Sequence, residues 1–264
     1  MKFRLAAIDL DGTLLNSQKQ LSQRSINAVR RAAGRGLTVV LCTGRMVRSA
    51  QQYWEQIGLT TPIIGYNGAM VKDVAVGRTL FHRPVTPDVT RNVLDFLRVR
   101  SIFPLTYWDD RLFVERNTEE VRSYSATYNV HYEIVDDLAD FLKEGSTKIL
   151  IGCKPEECSQ TAAEVQEAFG DRIHVTQSEG KHVEINHPLA TKASAAAFLA
   201  GDLGVKQAEI VAFGDGINDV DMLQYAGLGV AVSNAWDEAK QAADRVIGGN
   251  DDDAVAEFLD SLDL

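Results

Sequence analysis

Asp9-Leu10-Asp11-Gly12-Thr13 sets two carboxylates one residue apart, a spacing at which they can share one divalent cation and leave an oxygen free to attack. The pair closes a largely apolar run, residues 3–8 (FRLAAI), which fits a strand covered on both faces of a parallel sheet. A carboxylate ending such a strand projects at the carboxyl edge of the sheet, where open α/β folds bind ligands. Taken alone, the motif is as readily an Asp-rich turn. A second acidic cluster, Gly214-Asp215-Gly216-Ile217-Asn218-Asp219, closes another apolar run, residues 210–213 (IVAF), and the two together point to a site. Gathered at one edge, Asp9, Asp11, Asp215 and Asp219 repel, and some stay protonated unless a cation neutralises them. Oxygen ligands with no His or Cys beside them favour Mg²⁺, which keeps waters and takes one or two carboxylates plus a substrate phosphate.

Strand-like and helix-like segments alternate around these motifs, as in α/β proteins. Ser22 is placed to cap a helix that turns Ile26, Val29 and Ala33 inward and ends at Gly36. Residues 37–42 read as a second buried strand. A helix with Val47, Ala50, Trp54 and Ile57 in register follows, stopped by Gly58; residues 62–65 form a short strand, and Asn67-Gly68 is a hairpin turn signal. Near Arg83-Pro84 the rhythm changes. Thr86-Pro87 opens a helix with Val89, Val93, Phe96 and Leu97 facing inward. A hairpin over residues 103–108 and 111–115 comes next, around Asp109-Asp110. Helices at 118–128, 137–142 and 155–169, with strands at 132–135, 148–151, 173–177 and 181–186, complete an α+β insertion. The parallel pattern returns with a helix at 192–203, a strand at 209–213, a helix at 219–225, strands at 228–232 and 245–247, and a last helix from Asp252. The expected architecture is a Rossmann-like parallel-sheet core, residues 1–83 and 187–264, with an inserted α+β cap domain at 84–186.

Composition narrows the partners. A net charge of −10 argues against a nucleic-acid backbone or an anionic membrane as partner, but not against a small phosphorylated substrate, because a bound cation sets the local field. No stretch has the length and apolarity of a membrane span, and the N-terminal run is cut by Asp9 and Asp11, unlike a signal peptide. Cys42, Cys153 and Cys158 make an odd count without C-x-x-C. They read as free thiols in a reducing cytoplasm, not as metal ligands or a disulfide.

Four motifs in order, DLDGTL at 9–14, Thr43 within LCTGR at 41–45, Lys192 at a helix start, and GDGxND with its following DML at 214–223, resemble the haloacid-dehalogenase-like superfamily of aspartate-nucleophile phosphohydrolases. Asn67-Gly68-Ala69 and Ser233-Asn234-Ala235 narrow the likeness to its Cof-type sugar-phosphatase branch, which carries a large α/β cap. The likeness implies a metal held by the Asp9 side chain, the Asp11 backbone carbonyl and the Asp215 side chain, with Asp219 behind them. It also implies Asp9 as nucleophile, giving an aspartyl-phosphate, and Asp11 as the acid that protonates the leaving alkoxide and later the base that activates water. An acidic residue at position 11 points to phosphate esters within the superfamily.

Thr43, with the Gly44 and Leu10 amides, is expected to hold the phosphoryl group, joined by Lys192 and Asn218. The family places Gly after that Lys; here the next residue is Ala193. Arg45 is a candidate for a second anionic group on the substrate or a surface Arg, and His182 and Glu184 are candidates for sugar contacts. The function expected is a Mg²⁺-dependent phosphatase of small phosphorylated metabolites, sugar phosphates foremost. A phosphotransferase or phosphomutase using the same intermediate is the alternative, and a binding module that has lost catalysis is opposed by the intact motifs. Monomer and homodimer are equally open.

Overall fold

The computed structural model describes residues 3–178 and 180–263. Leu5–Ile8 forms β1, with every side chain buried. The strand is shorter than residues 3–8, although Arg4 extends its ladder, donating to the Glu209 carbonyl and accepting from Thr38 N–H. Ser22 caps α1 (Gln23–Gly34) by accepting from Ser25 N–H. The buried stripe is Ser25, Ala28, Val29 and Ala32, not the expected face: Ala33 is exposed and Ile26 half-buried. Ser25 turns inward because Asp253 accepts its hydroxyl at 3.0 Å, so a polar side chain there is satisfied without water. β2 (Thr38–Leu41) and α2 (Val47–Ile57) follow, the helix ended by Gly58 at φ 78°. β3 (Ile63–Gly65), a tight turn at Tyr66–Gly68, β4 (Met70–Asp73) and β5 (Arg78–His82) make a small three-stranded sheet. β4 and β5 escape a pattern reading because β5 shows no buried–exposed alternation.

A compact unit then runs from His82 to Ala190. It contains α3 (Pro87–Val99), β6 (Leu105–Trp108), β7 (Arg111–Val114), α4 (Glu119–Tyr128), β8 (Tyr132–Ile134), α5 (Leu138–Phe141), β9 (Lys148–Gly152), α6 (Pro155–Phe169), β10 (His174–Ser178) and β11 (His182–Asn186). Its six strands lie in the order β10-β11-β9-β6-β7-β8, antiparallel except for β7 with β8. Asp109 and Asp110, both at positive φ, form the two-residue turn of the β6–β7 hairpin, as such turns require. Ile149, Ile151, Val183 and Ile185 pack with Val89, Val93 and Leu97 of α3 and with Ala162 and Val165 of α6. Strand alternation sends Lys148 and Glu184 to the opposite face, where they pair at 3.2 Å while almost fully buried. Near its two ends the Arg83 guanidinium reaches the Leu189 carbonyl and Ala190 N–H closes a turn onto His187.

One expectation is overturned here. Cys153 and Cys158 are joined as a disulfide, because the turn from β9 into α6 brings their Cα atoms to 5.5 Å, inside bridging distance. Cys42 remains a buried thiol.

The first unit resumes with α7 (Lys192–Asp202), β12 (Ile210–Gly214), α8 (Val220–Tyr225), β13 (Leu228–Val232), α9 (Asp237–Ala242), β14 (Arg245–Ile247) and α10 (Ala254–Ser261). It comprises Met1–Phe81 and Thr191–Leu264. Its main sheet is parallel throughout, in the order β14-β13-β12-β1-β2, an α/β core as the motifs implied. From β1 the chain winds to one side, through β2; from β12 it winds to the other. The reversal falls between β1 and β12, whose carboxyl ends carry Asp9 and Asp215, and that is where such sheets open a ligand crevice.

Candidate active site

Asp9 leaves β1 in ladder register, its N–H donating to the Phe213 carbonyl at 3.0 Å, and its side chain is buried. The chain then turns sharply, with Thr13, Leu14 and Leu15 N–H groups all closing on the Leu10 carbonyl. Gly12 sits in that turn at φ 81°, and a Cβ there would lie 2.3 Å from Asp215 Oδ2, so glycine is needed for both reasons. Thr13 Oγ1 donates to Asp215 Oδ1 at 2.8 Å, tying the two acidic motifs together. The second motif wraps on itself: Asp215 and Gly216 N–H groups donate to Asp219 Oδ2 at 3.1 and 2.9 Å. Both Asp219 oxygens are thereby engaged, since Oδ1 takes Lys192 Nζ at 2.6 Å.

Lys192 is no solvated helix-start residue. Thr191 and Ser194 cap each other reciprocally at the start of α7, and the first residue of that helix points its ammonium inward, fully buried. Nζ lies 2.6 Å from Asp9 Oδ1 as well as from Asp219. Burial alone pushes the Lys192 pKa down, but Asp219 and Asp9 outweigh it and hold it well above its ordinary value. Burial likewise pushes Asp9 up, against Lys192 and aided by Asp219 and Asp215. With two carboxylates at hydrogen-bond distance, Lys192 carries the charge of the trio. Asp215 is pushed up to about 7, first by burial and then by Asp219.

Asp9, Asp215 and Asp219 bring carboxylate oxygens within 4.8 Å of one another. Among the described residues, neither Asp9 Oδ2 nor Asp215 Oδ2 takes a hydrogen bond. Two open carboxylate oxygens with no imidazole beside them fit a hard divalent cation of the Mg²⁺ type. Asp219, with both oxygens engaged, sits behind those two.

Arg45 is buried and not at the surface. Its Nε and Nη2 each reach an Asp11 oxygen at 2.5 Å, a bidentate pair. Lys19 approaches the same carboxylate at 3.9 Å. Thr43 Oγ1 accepts from Arg45 N–H at 3.1 Å, leaving the hydroxyl hydrogen to donate, and Gly44 follows it in the turn after β2. Leu10 N–H, buried in the turn after β1, meets no acceptor among the described residues. Asn218 Nδ2 donates to Asn67 Oδ1 at 2.9 Å. The sequence marked Thr13 and Asn67 only as turn residues within motifs and did not mark Lys19 at all.

His182 and Glu184 belong to β11 of the second unit. Glu184 accepts from Ser178 Oγ at 2.8 Å besides pairing with Lys148, and His182 packs against the rings of Tyr124 and Tyr128.

A family model described as haloacid dehalogenase-like hydrolase matches residues 6–259. The chain is 34% identical over 263 residues to the 5-amino-6-(5-phospho-D-ribitylamino)uracil phosphatase YitU of Bacillus subtilis, covering 97% of this chain and 96% of that protein. It is 30% identical to the pyridoxal phosphate phosphatase YbhA of Escherichia coli, with 98% of each covered. The crystal structure of TM0651 from Thermotoga maritima aligns with a TM-score of 0.85 at 32% identity, over 99% of this chain and 98% of that one.

Proposed function

Taking as premise that the chain belongs to the haloacid dehalogenase-like hydrolases, and is a phosphomonoesterase of that family, we propose that it is Mg²⁺-dependent and works through an aspartyl-phosphate on Asp9. The observation carrying this reading is the state of Asp9. One of its oxygens is held by the buried Lys192 ammonium at 2.6 Å, while the other is open toward the oxygen cluster at the sheet's switch point.

A carboxylate oxygen of Asp9 attacks phosphorus and the bond to the leaving oxygen breaks. Lys192 holds Asp9 in place and neutralises charge. Thr43 Oγ1, the Leu10 and Gly44 amides and the Asn218 amide receive the phosphoryl oxygens. Asp11 gives the leaving oxygen its proton, then takes one from the water that hydrolyses the acyl phosphate. As an acid, Asp11 offers Arg45 only one unprotonated oxygen, so the bidentate pair belongs to its carboxylate form. Asp9, Asp215 and the Asp11 carbonyl are the residues that would hold Mg²⁺, which supplies positive charge against the repulsion between nucleophile and phosphate.

The substrates we propose are small phosphorylated metabolites. Two relatives are named for such compounds, a phosphoribitylaminouracil and pyridoxal phosphate, and sugar phosphates remain the first class to try. Residues 84–186 are proposed as the cap. No described helix is long and apolar enough to cross a membrane. We place the enzyme in the cytoplasm, where a disulfide such as Cys153–Cys158 is a transient species.

The test is inorganic phosphate release from a panel of sugar phosphates, pyridoxal phosphate and flavin-precursor phosphates, with Mg²⁺, comparing parent and Asp9→Asn. The parent should turn over several of them and the variant should lose several orders of magnitude. Release from none, or variant turnover within about tenfold of the parent, would sink the reading. Acceleration by an added acceptor sugar, with phosphate appearing on it, would favour the phosphotransferase alternative.

A further inference from the structure

Tyr66 and Asn67 are consecutive non-glycine residues in the left-handed region, at φ 55° each, followed by Gly68 at φ 91°. A bulky tyrosine there is a genuine outlier, and such strain persists only where surrounding contacts over-determine it. Several of the contacts here lead to the phosphate-handling residues. Tyr66 N–H donates to the Arg45 carbonyl at 2.9 Å and Asn67 N–H to the Thr43 carbonyl at 3.1 Å. Gly68 packs so closely on the start of α7 that a Cβ would lie 2.0 Å from the Thr191 carbonyl oxygen. The buried Asn67 side chain accepts from Asn218. Asn218 Oδ1 in turn lies where a Cβ on Gly216 would come within 2.4 Å, so its amide is bracketed on both sides.

We propose that Asn67 is a positioning residue for phosphate recognition: by accepting one N–H of Asn218 it fixes that amide, so that the second N–H is presented to the phosphoryl group. The inference rests on the phosphatase reading and on Asn218 as a phosphate contact. Asparagine meets both demands of the position. It tolerates the left-handed backbone and supplies the acceptor, whereas a residue required for the backbone alone is replaced by glycine without loss.

That contrast supplies the experiment. Asn67→Gly keeps the left-handed backbone and removes the acceptor; it is compared with Asn218→Ala, the double variant and the parent. Each is checked for an unchanged unfolding midpoint, then for the inhibition constant of inorganic phosphate and the separate values of kcat and KM. Asn67→Gly should weaken phosphate about five- to tenfold, on the scale of coupled neighbours, with magnesium affinity unmoved. The double variant should be no weaker than Asn218→Ala alone. If Asn67→Gly folds and binds phosphate as the parent does while Asn218→Ala does not, the positioning role is overturned. If Asn218→Ala itself leaves phosphate binding intact, the inference also fails, through Asn218. Either result stands apart from failure of the enzymatic reading, which parent turnover decides. Should Asn67→Gly lower the midpoint, Asn67→Asp, which keeps an acceptor of the same shape, should leave Asn218→Ala with its full effect on phosphate binding; an Asn218→Ala loss that vanishes in that background would equally overturn the role.

Discussion

Asp11 is asked to shuttle a proton while a buried guanidinium holds both its oxygens. Replacing it by Asn keeps the backbone carbonyl but removes the proton donor. For alkyl phosphates, turnover of Asp11→Asn should fall by roughly 10²–10⁴, the usual reach of general acid catalysis. For aryl phosphates, whose leaving groups need little protonation, the loss should be much smaller. Equal losses for both classes, measured side by side, would count against the acid role. Asp215 carries a different prediction. Burial and Asp219 push it up to about 7, so the metal-free folded protein keeps a proton that the unfolded chain releases near pH 4. Its contribution to stability is therefore fully present at low pH and is lost as pH rises from about 4 through about 7. Because the ligand must be deprotonated to bind metal, magnesium affinity should climb across the same range. Calorimetric titration should show proton release on Mg²⁺ binding at pH 6 and little at pH 8; equal release at both would remove Asp215 from the ligand set.

Between the residues and the sheet stands the Tyr66–Gly68 turn, which joins β3 to β4 and braces α7. Gly68 has two reasons to be glycine, its φ of 91° and the 2.0 Å approach of the Thr191 carbonyl oxygen. Gly77 has only the first, at φ 70° with open space around it. Gly77→Ala should therefore cost about 1–2 kcal/mol, the left-handed penalty alone. Gly68→Ala should cost clearly more and slow phosphate release too, since Lys192 follows the displaced residue. Chemical denaturation of the two variants checks this; equal losses would mean that the α7 contact yields without strain. The elements themselves follow ordinary rules of capping and termination, and α1 shows their limit. Its inward face is settled by Asp253, distant in sequence, which satisfies Ser25 and so outcompetes the more apolar stripe.

At the scale of the molecule, the first unit builds its core on a parallel sheet whose strands β1 and β12 are wholly buried. A chain of this size has enough core to fold without a metal staple. Excess chelator should stop phosphate release while circular dichroism stays native, and Mg²⁺ should restore it. Added Mg²⁺ should raise the unfolding midpoint, as any ligand of the native state does, and calcium should restore activity poorly, since its looser shell misplaces an in-line attack. Full activity in chelator would falsify the magnesium dependence.

Much of this was legible in the linear chain because the chemistry is local to strand ends. An apolar run closing on D-x-D and another closing on GDGxND announce a parallel sheet with carboxylates at its edge, and physics at the level of neighbours suffices to read that. Pro, Gly and Asx punctuation likewise marked most helix and hairpin boundaries. Contacts between residues remote in sequence were beyond that reading, because no spacing rule connects them. Only the fold buries Lys192 between Asp9 and Asp219, turns Arg45 onto Asp11, and sets Asn67 against Asn218. The disulfide was missed for the same reason: Cys153 and Cys158 are near in sequence, but only the turn between β9 and α6 decides that their side chains meet. Residue types thus determined which reaction is possible, while the packing of distant segments decided which groups are charged, held and oriented for it, since burial and pairing set a side chain's energy and both are properties of the folded chain.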